Sequence, residues 1–194
     1  MGNSNQSGGS LSPSYEELGV QQNEMLSHLI MLRDKSTQQR YMLKQINLSS
    51  EEECTRMVRD MSHRRSMSQR RMGRYIIKVE RVEWKEITEI CGKNYKVMVF
   101  LEAIDSSLSE EYEKRRKKRQ PFTEDEIMTV LKAVTSNLTA MYDNSFKNIH
   151  LYKESILKCG EHYKVVDSQL SNRVHPYFEI LNMVPCKPGT YLAP

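Results

Sequence analysis

A chain of 194 residues, with 28% charged and 38% hydrophobic residues, is long enough for one domain or a domain and a half around a buried core. No apolar run reaches the roughly 18–20 residues of a membrane span, and no apolar stretch of the secretory type opens the chain, which argues against a spanning or secreted protein. The formal net charge of +4 is too small to mark a nucleic-acid or lipid binder by itself.

Residues 1–13 are rich in Gly, Ser and Asn and read as a disordered tail. Gly2 follows Met1 as in a myristoylation signal, but Gln6 stands where that pattern wants Ser or Thr. Residues 25–32 are largely apolar and residues 40–48 alternate, with polar residues 34–39 between them, so the pair reads as a hairpin. Ser50 with Glu53 three residues on, and acids filling the first turn, marks a helix start. Met57 and Met61 share a face of that helix, with Val58 beside them. The helix carries the first basic cluster, His63-Arg64-Arg65, with Arg70-Arg71 and Arg74 just beyond. Residues 75–83 and 95–102 read as two further strands separated by a turn at Gly92-Lys93-Asn94.

Residues 107–120 form a short, very polar helix holding the second basic cluster at 114–119. Glu110, Glu111 and Glu113 before it, and Glu124, Asp125 and Glu126 after it, weaken its long-range field. Both clusters read first as solvated surface. Thr123 and Glu126 make a capping box for an amphipathic helix with Ile127, Val130, Leu131, Val134, Leu138 and Met141 at helical spacing. A loop over residues 148–157, a short strand ending at Asp167, and a tail containing proline and glycine follow. The order is α+β with two lobes, residues 14–105 and 106–194. Cys54, Cys91, Cys159 and Cys186 are widely spaced and form no C-x-x-C, so they read as reduced structural thiols of a cytosolic protein. Trp84, the one tryptophan, reads equally as an interface anchor or as a partly buried core residue.

Four segments come in a telling order: Arg33 to Thr37 with Arg40-Tyr41-Met42-Leu43-Lys44-Gln45-Ile46; Phe100-Leu101-Glu102-Ala103; Pro121-Phe122-Thr123-Glu124-Asp125-Glu126-Ile127; and Gly189-Thr190-Tyr191-Leu192-Ala193-Pro194. Over roughly residues 15–194 the chain resembles a serine/threonine protein kinase. The resemblance implies a protein-kinase-like fold, α+β, with an antiparallel-sheet small lobe and a reduced, mainly helical large lobe. It sets Lys44 where a lysine pairs with ATP phosphates, Glu102 at the adenine-binding hinge, and Asp167 where an aspartate holds the metal.

The departures from the kinase pattern point away from catalysis. The phosphate-loop glycines fall on Gln22, Glu24 and Ser27. The helix that should offer a glutamate to Lys44 offers Arg59-Asp60, so a strained Lys44–Asp60 pair is expected. In the catalytic loop, H-R-D-L-x-x-x-N in a kinase, the histidine, arginine, aspartate, lysine and asparagine fall on Asn148, Ile149, His150, Tyr152 and Ser155. Ser168 and Gln169 follow Asp167 in place of Phe and Gly. His150 has a pKa suited to a substitute base, but a plain structural histidine is the stronger reading. The resemblance therefore implies a pseudokinase with degenerate positions His150 and Ser155, no catalytic residue, no metal and no cofactor. Lys44, Glu102 and Asp167 are then vestigial nucleotide-site residues. The alternative is a divergent active kinase, or a nucleotide-sensing module, that uses ATP and magnesium. The sequence reaches only the Ala-Pro of the activation segment, so the long helix after Thr123 lacks the usual packing: a protein partner that covers it is the favoured expectation, beside a pared-down large lobe or a chain that is a fragment. The expectation is an interaction module in a stable complex, with acidic surfaces as candidate partners. Its expected setting is cytoplasmic, cytoskeletal or ciliary, and nucleic acid and membrane are not its partners.

Overall fold

The alternation between residues 25 and 48 becomes part of an antiparallel five-stranded sheet. The computed structural model describes residues 14–89, 92–144, 151–167 and 169–171. In chain order the sheet contains β1 (Tyr15–Asn23), β2 (Ser27–Asp34), β3 (Arg40–Leu48), β4 (Val79–Glu89) and β5 (Gly92–Glu102), arranged β1-β2-β3-β5-β4. The helix α1 (Glu51–Ser68) enters between β3 and β4 and packs against β4 and β5. Its start is as the sequence predicts: Ser50 accepts a hydrogen bond from Glu53 N at 3.1 Å, and Glu51, Glu52 and Glu53 face the positive end of the helix dipole.

The structure corrects the β4–β5 boundaries. Strand pairing runs from Val79↔Leu101 to Glu89↔Gly92, so Gly92, Lys93 and Asn94 are strand residues rather than a turn; residues 90–91 lie outside the described residues. Before β4 comes a 3-10 turn, Arg71–Arg74. Ile76 and Ile77 are both fully buried because they enter two different apolar clusters. The outer half of β4 has little core beneath it, which is why the pattern there is hard to read: Trp84 is 52% exposed and only tilts against Tyr95 at 6.5 Å.

Beyond β5 a two-residue strand, β6 (Ser106–Ser107), leads into α2 (Leu108–Lys118) and α3 (Glu124–Asp143). Both helices begin with complete capping boxes, Ser107 with Glu110 and Thr123 with Glu126. Strands β7 (Ile156–Cys159) and β8 (His162–Val165) form a hairpin that pairs with β6 as a three-stranded antiparallel sheet. The architecture is mixed α+β, with three α-helices among the described residues. No helix among these residues is long and apolar enough to cross a membrane.

One apolar cluster joins the five-stranded sheet and α1 to the hairpin through Leu157, Cys159, Val166 and Leu170. A second joins Val134 and Met141 of α3 to Met72, Ile76, Ile156 and Val165. Each fully buried Leu or Met contributes about 1.5–3 kcal/mol of transfer free energy, so the hairpin is a structural part of both halves. Only one face of α3 is used this way: Ile127, Met128 and Leu131 are between 41% and 54% exposed.

Candidate functional site

The apolar stripe of α1 steps through Cys54, Met57, Met61, Arg64 and Ser68, the three-and-four spacing of one helix face. Arg64 thus occupies a core position. Its Nη1 lies 2.6 Å from Asp167 Oδ2, and neither side chain has any exposed surface. Arg64 Nε and Nη2 both donate to Ile77 O at 3.3 Å. Asp167 Oδ1 accepts from Gln169 N at 3.0 Å. Oδ2 has no aligned hydrogen bond among the described residues, so its partner is the guanidinium as an ion. A buried carboxylate is costly unless paired, and here the pairing cation comes from α1.

Lys44, on β3, is 3% exposed and donates to Leu170 O. Burial lowers its pKa to about 8 against the attraction of Asp167, and the like charge of Arg64 adds to the fall. The expected Lys44–Asp60 pair is not formed. Asp60 is half-exposed, and its carboxylate lies 3.8 Å from its neighbour Arg59. The sequence did carry the signal for Arg64, because that residue continues the spacing set by Met57 and Met61.

Glu102 is held by a different cation. Lys164 of β8, 1% exposed, places Nζ 2.6 Å from Glu102 Oε1 and 2.7 Å from Gly73 O. The same carboxylate oxygen accepts from Lys78 N at 2.7 Å. The three residues expected at a nucleotide site are therefore all engaged internally, in two buried ion pairs and a lysine–carbonyl contact. Both ion pairs tie the five-stranded sheet or its helix to the region around β8.

Ser155 is fully buried, and its hydroxyl closes a tight turn by accepting from Tyr152 N at 2.9 Å and donating to Tyr152 O at 2.8 Å. Asn148, Ile149, His150, Ser168 and the segment from Gly189 to Pro194 lie outside the described residues. Among the described residues, no group of three or more His, Cys, Asp or Glu side chains is gathered for a metal ion.

The β1–β2 turn, expected to replace a phosphate loop, is built around Asn23. Its Oδ1 accepts from Met25 N at 2.9 Å and Leu26 N at 3.0 Å, and Ser27 follows in the left-handed region at φ 63. Met25 and Leu26 are then buried, in the same cluster as Leu157, Val166 and Leu170. Side chains of the protein itself occupy the space between the turn and β7. At its outer edge a depression of about 330 Å³ is lined by Glu24, Glu110 and Glu154 with Ser107 and Ser109, an acidic mouth that opposes phosphate groups.

The two basic clusters are handled differently. Arg115 of the second is stacked on Phe122 at 4.2 Å and bonds Glu126 through two nitrogens at 2.6 and 2.8 Å. That pair, with help from the Thr123 amide, holds the Glu126 carboxyl down to about 2. Arg116 pairs with Glu113 at 2.9 Å. No protein-family model matches this sequence, and no curated protein matches it.

Proposed function

We propose that this chain is a kinase-like interaction module that transfers no phosphoryl group, held in a larger assembly by a protein partner. The observation that carries the reading is the buried Arg64–Asp167 ion pair. In a kinase-like frame Asp167 is the carboxylate that would hold magnesium, and phosphoryl transfer depends on positioning and charge neutralisation by that ion. Here an internal guanidinium already neutralises it, while Lys44 is committed to the Leu170 carbonyl. The strand order β1-β2-β3-β5-β4, with α1 between β3 and β4 and a β-hairpin ending near Asp167, supports the kinase-like frame. The packed residues Met25 and Leu26 support loss of the nucleotide pocket.

The partner reading rests on Ile127, Met128 and Leu131, which form an exposed apolar stripe along α3. A stable cytoskeletal or ciliary assembly is the setting that goes with such a module. Thermal unfolding with millimolar ATP, with and without magnesium, tests the sealed cleft, because a ligand that binds the native state raises Tm by mass action. An unchanged Tm is expected. A nucleotide-dependent rise, or phosphate transfer to a generic substrate that Lys44→Ala abolishes, overturns the proposal.

A further inference from the structure

The first basic cluster has a residue the core absorbs, Arg64, and others that it does not. Arg70 and Arg74 line a depression of about 460 Å³ together with Lys78 and His162. The depression lies where the end of α1, the 3-10 turn, the start of β4 and the β7–β8 turn meet. Glu80 is its one carboxylate. Among the described residues, none of Arg70, Arg74 and Lys78 forms an ion pair with a carboxylate.

Two features separate this site from ordinary surface charge. A cation near the last turn of α1 is favoured by the helix dipole, which accounts for Arg70. The dipole does not account for Lys78 or His162, which come from other elements. The notch is also built by backbone: a Cβ on Gly73 would sit 2.2 Å from Ser68 O and 3.1 Å from Lys78 Cε. Only a glycine lets the turn close against α1 with the lysine stem laid over it.

We propose that this notch is an anion site for a phosphate dianion. Guanidinium groups match phosphate oxygens in a bidentate fork and an ammonium adds a point charge, so Arg70, Arg74 and Lys78 supply complementary donors, with His162 also lining the depression. The open depression of about 460 Å³ exceeds a single phosphate and leaves room for the group that carries it. A nucleic-acid backbone fits less well, since it needs an extended basic track, whereas in the second basic cluster Arg115 and Arg116 are taken up by Glu111, Glu113 and Glu126. The site uses none of the cleft residues and stands or falls apart from the functional reading above.

The test is a titration of the isotope-labelled chain with inorganic phosphate and with O-phosphoserine, followed by backbone amide shifts, alongside Arg70→Ala/Arg74→Ala, Lys78→Ala and, in the other basic run, Lys117→Ala. The proposal expects saturable shifts at Ser68, Gly73 and Lys78 at millimolar ligand. It also expects at least tenfold weaker binding in the first two variants, and no change in Lys117→Ala. Equal affinity for the two probes identifies free phosphate as the source, whereas tighter binding of O-phosphoserine identifies a phosphorylated chain. Each variant's thermal unfolding is measured alongside. Absence of shifts in the wild type, binding that survives Arg70→Ala/Arg74→Ala, or binding of duplex nucleic acid in preference to either phosphate overturns it.

Discussion

Replacing Arg64 by leucine keeps an apolar stem on the α1 stripe and removes the charge that faces Asp167. The ion pair is 2.6 Å long with both side chains fully buried, so the substitution leaves a carboxylate in the core. Breaking such a pair costs about 3–5 kcal/mol. Two long hydrogen bonds to Ile77 O go with it, while the ammonium of Lys44, which already feels the Asp167 charge, recovers part of the loss. A net destabilisation of about 3 kcal/mol follows, or about 6–12 °C in Tm for a chain of this size. Urea unfolding followed by circular dichroism measures it. The companion is Arg64→Leu/Asp167→Leu, which strands no charge and is expected to be more stable than Arg64→Leu alone. The difference between the double variant and the sum of the singles is the coupling energy, expected at about 2 kcal/mol or more. A loss below about 1 kcal/mol in Arg64→Leu, or single effects that simply add, refutes the claim that this pair organises the site.

Lys44 titrates near pH 8 in the folded chain against 10.5 for the ordinary side chain. Its charged form is disfavoured by folding, so its contribution improves as pH rises from about 8 toward 10.5, by up to about 3 kcal/mol. Stability measured by urea between pH 7 and 9.5 is expected to rise in the wild type and to stay flat in Lys44→Met; a parallel rise in both rejects the assignment. Glu126 has a folded pKa near 2 against 4.5, so its stabilisation is present above pH 4.5 and is lost as pH falls through 2. A small loss of wild-type stability is expected across that window, whereas Glu126→Gln shows the weakened junction already at neutral pH. Gly73→Ala forces a Cβ to within 2.2 Å of the Ser68 carbonyl oxygen, a backbone clash that costs about 1–3 kcal/mol; a wild-type unfolding midpoint in that variant contradicts the close approach.

The sequence predicted the helices best where side chains cap them. Ser50 and Thr123 sit one residue before α1 and α3 as expected, because capping is local chemistry that a four-residue window contains; the box that Ser107 makes at α2 is a finding of the structure. The β2–β3 hairpin was equally plain from its alternation. The long-range pairings were not. Nothing near Glu102 in sequence announces Lys164, and the charge on Asp167 identifies no partner until α1 is turned so that Arg64 faces inward. The inward side chains of Met25 and Leu26 depend on the bend that Asn23 imposes, and that bend reads in the sequence only as a polar turn. Which side of α3 is left open depends on the same long-range packing: its apolar spacing is continuous, but packing uses Val134 and Met141 and leaves Ile127 and Leu131 outside.

The shared cluster of sheet and hairpin has a consequence for biosynthesis. All five strands of the large sheet are complete at Glu102, yet Leu157, Val166 and Leu170 belong to the cluster beneath them. A ribosome adding about 5–20 residues per second leaves that apolar face unfinished for several seconds after the last of its strands emerges, with β1 and β4 as open edges. A fragment ending at Glu102 would expose the same face for good. The core of the five-stranded sheet is thus completed only by residues translated well after its last strand.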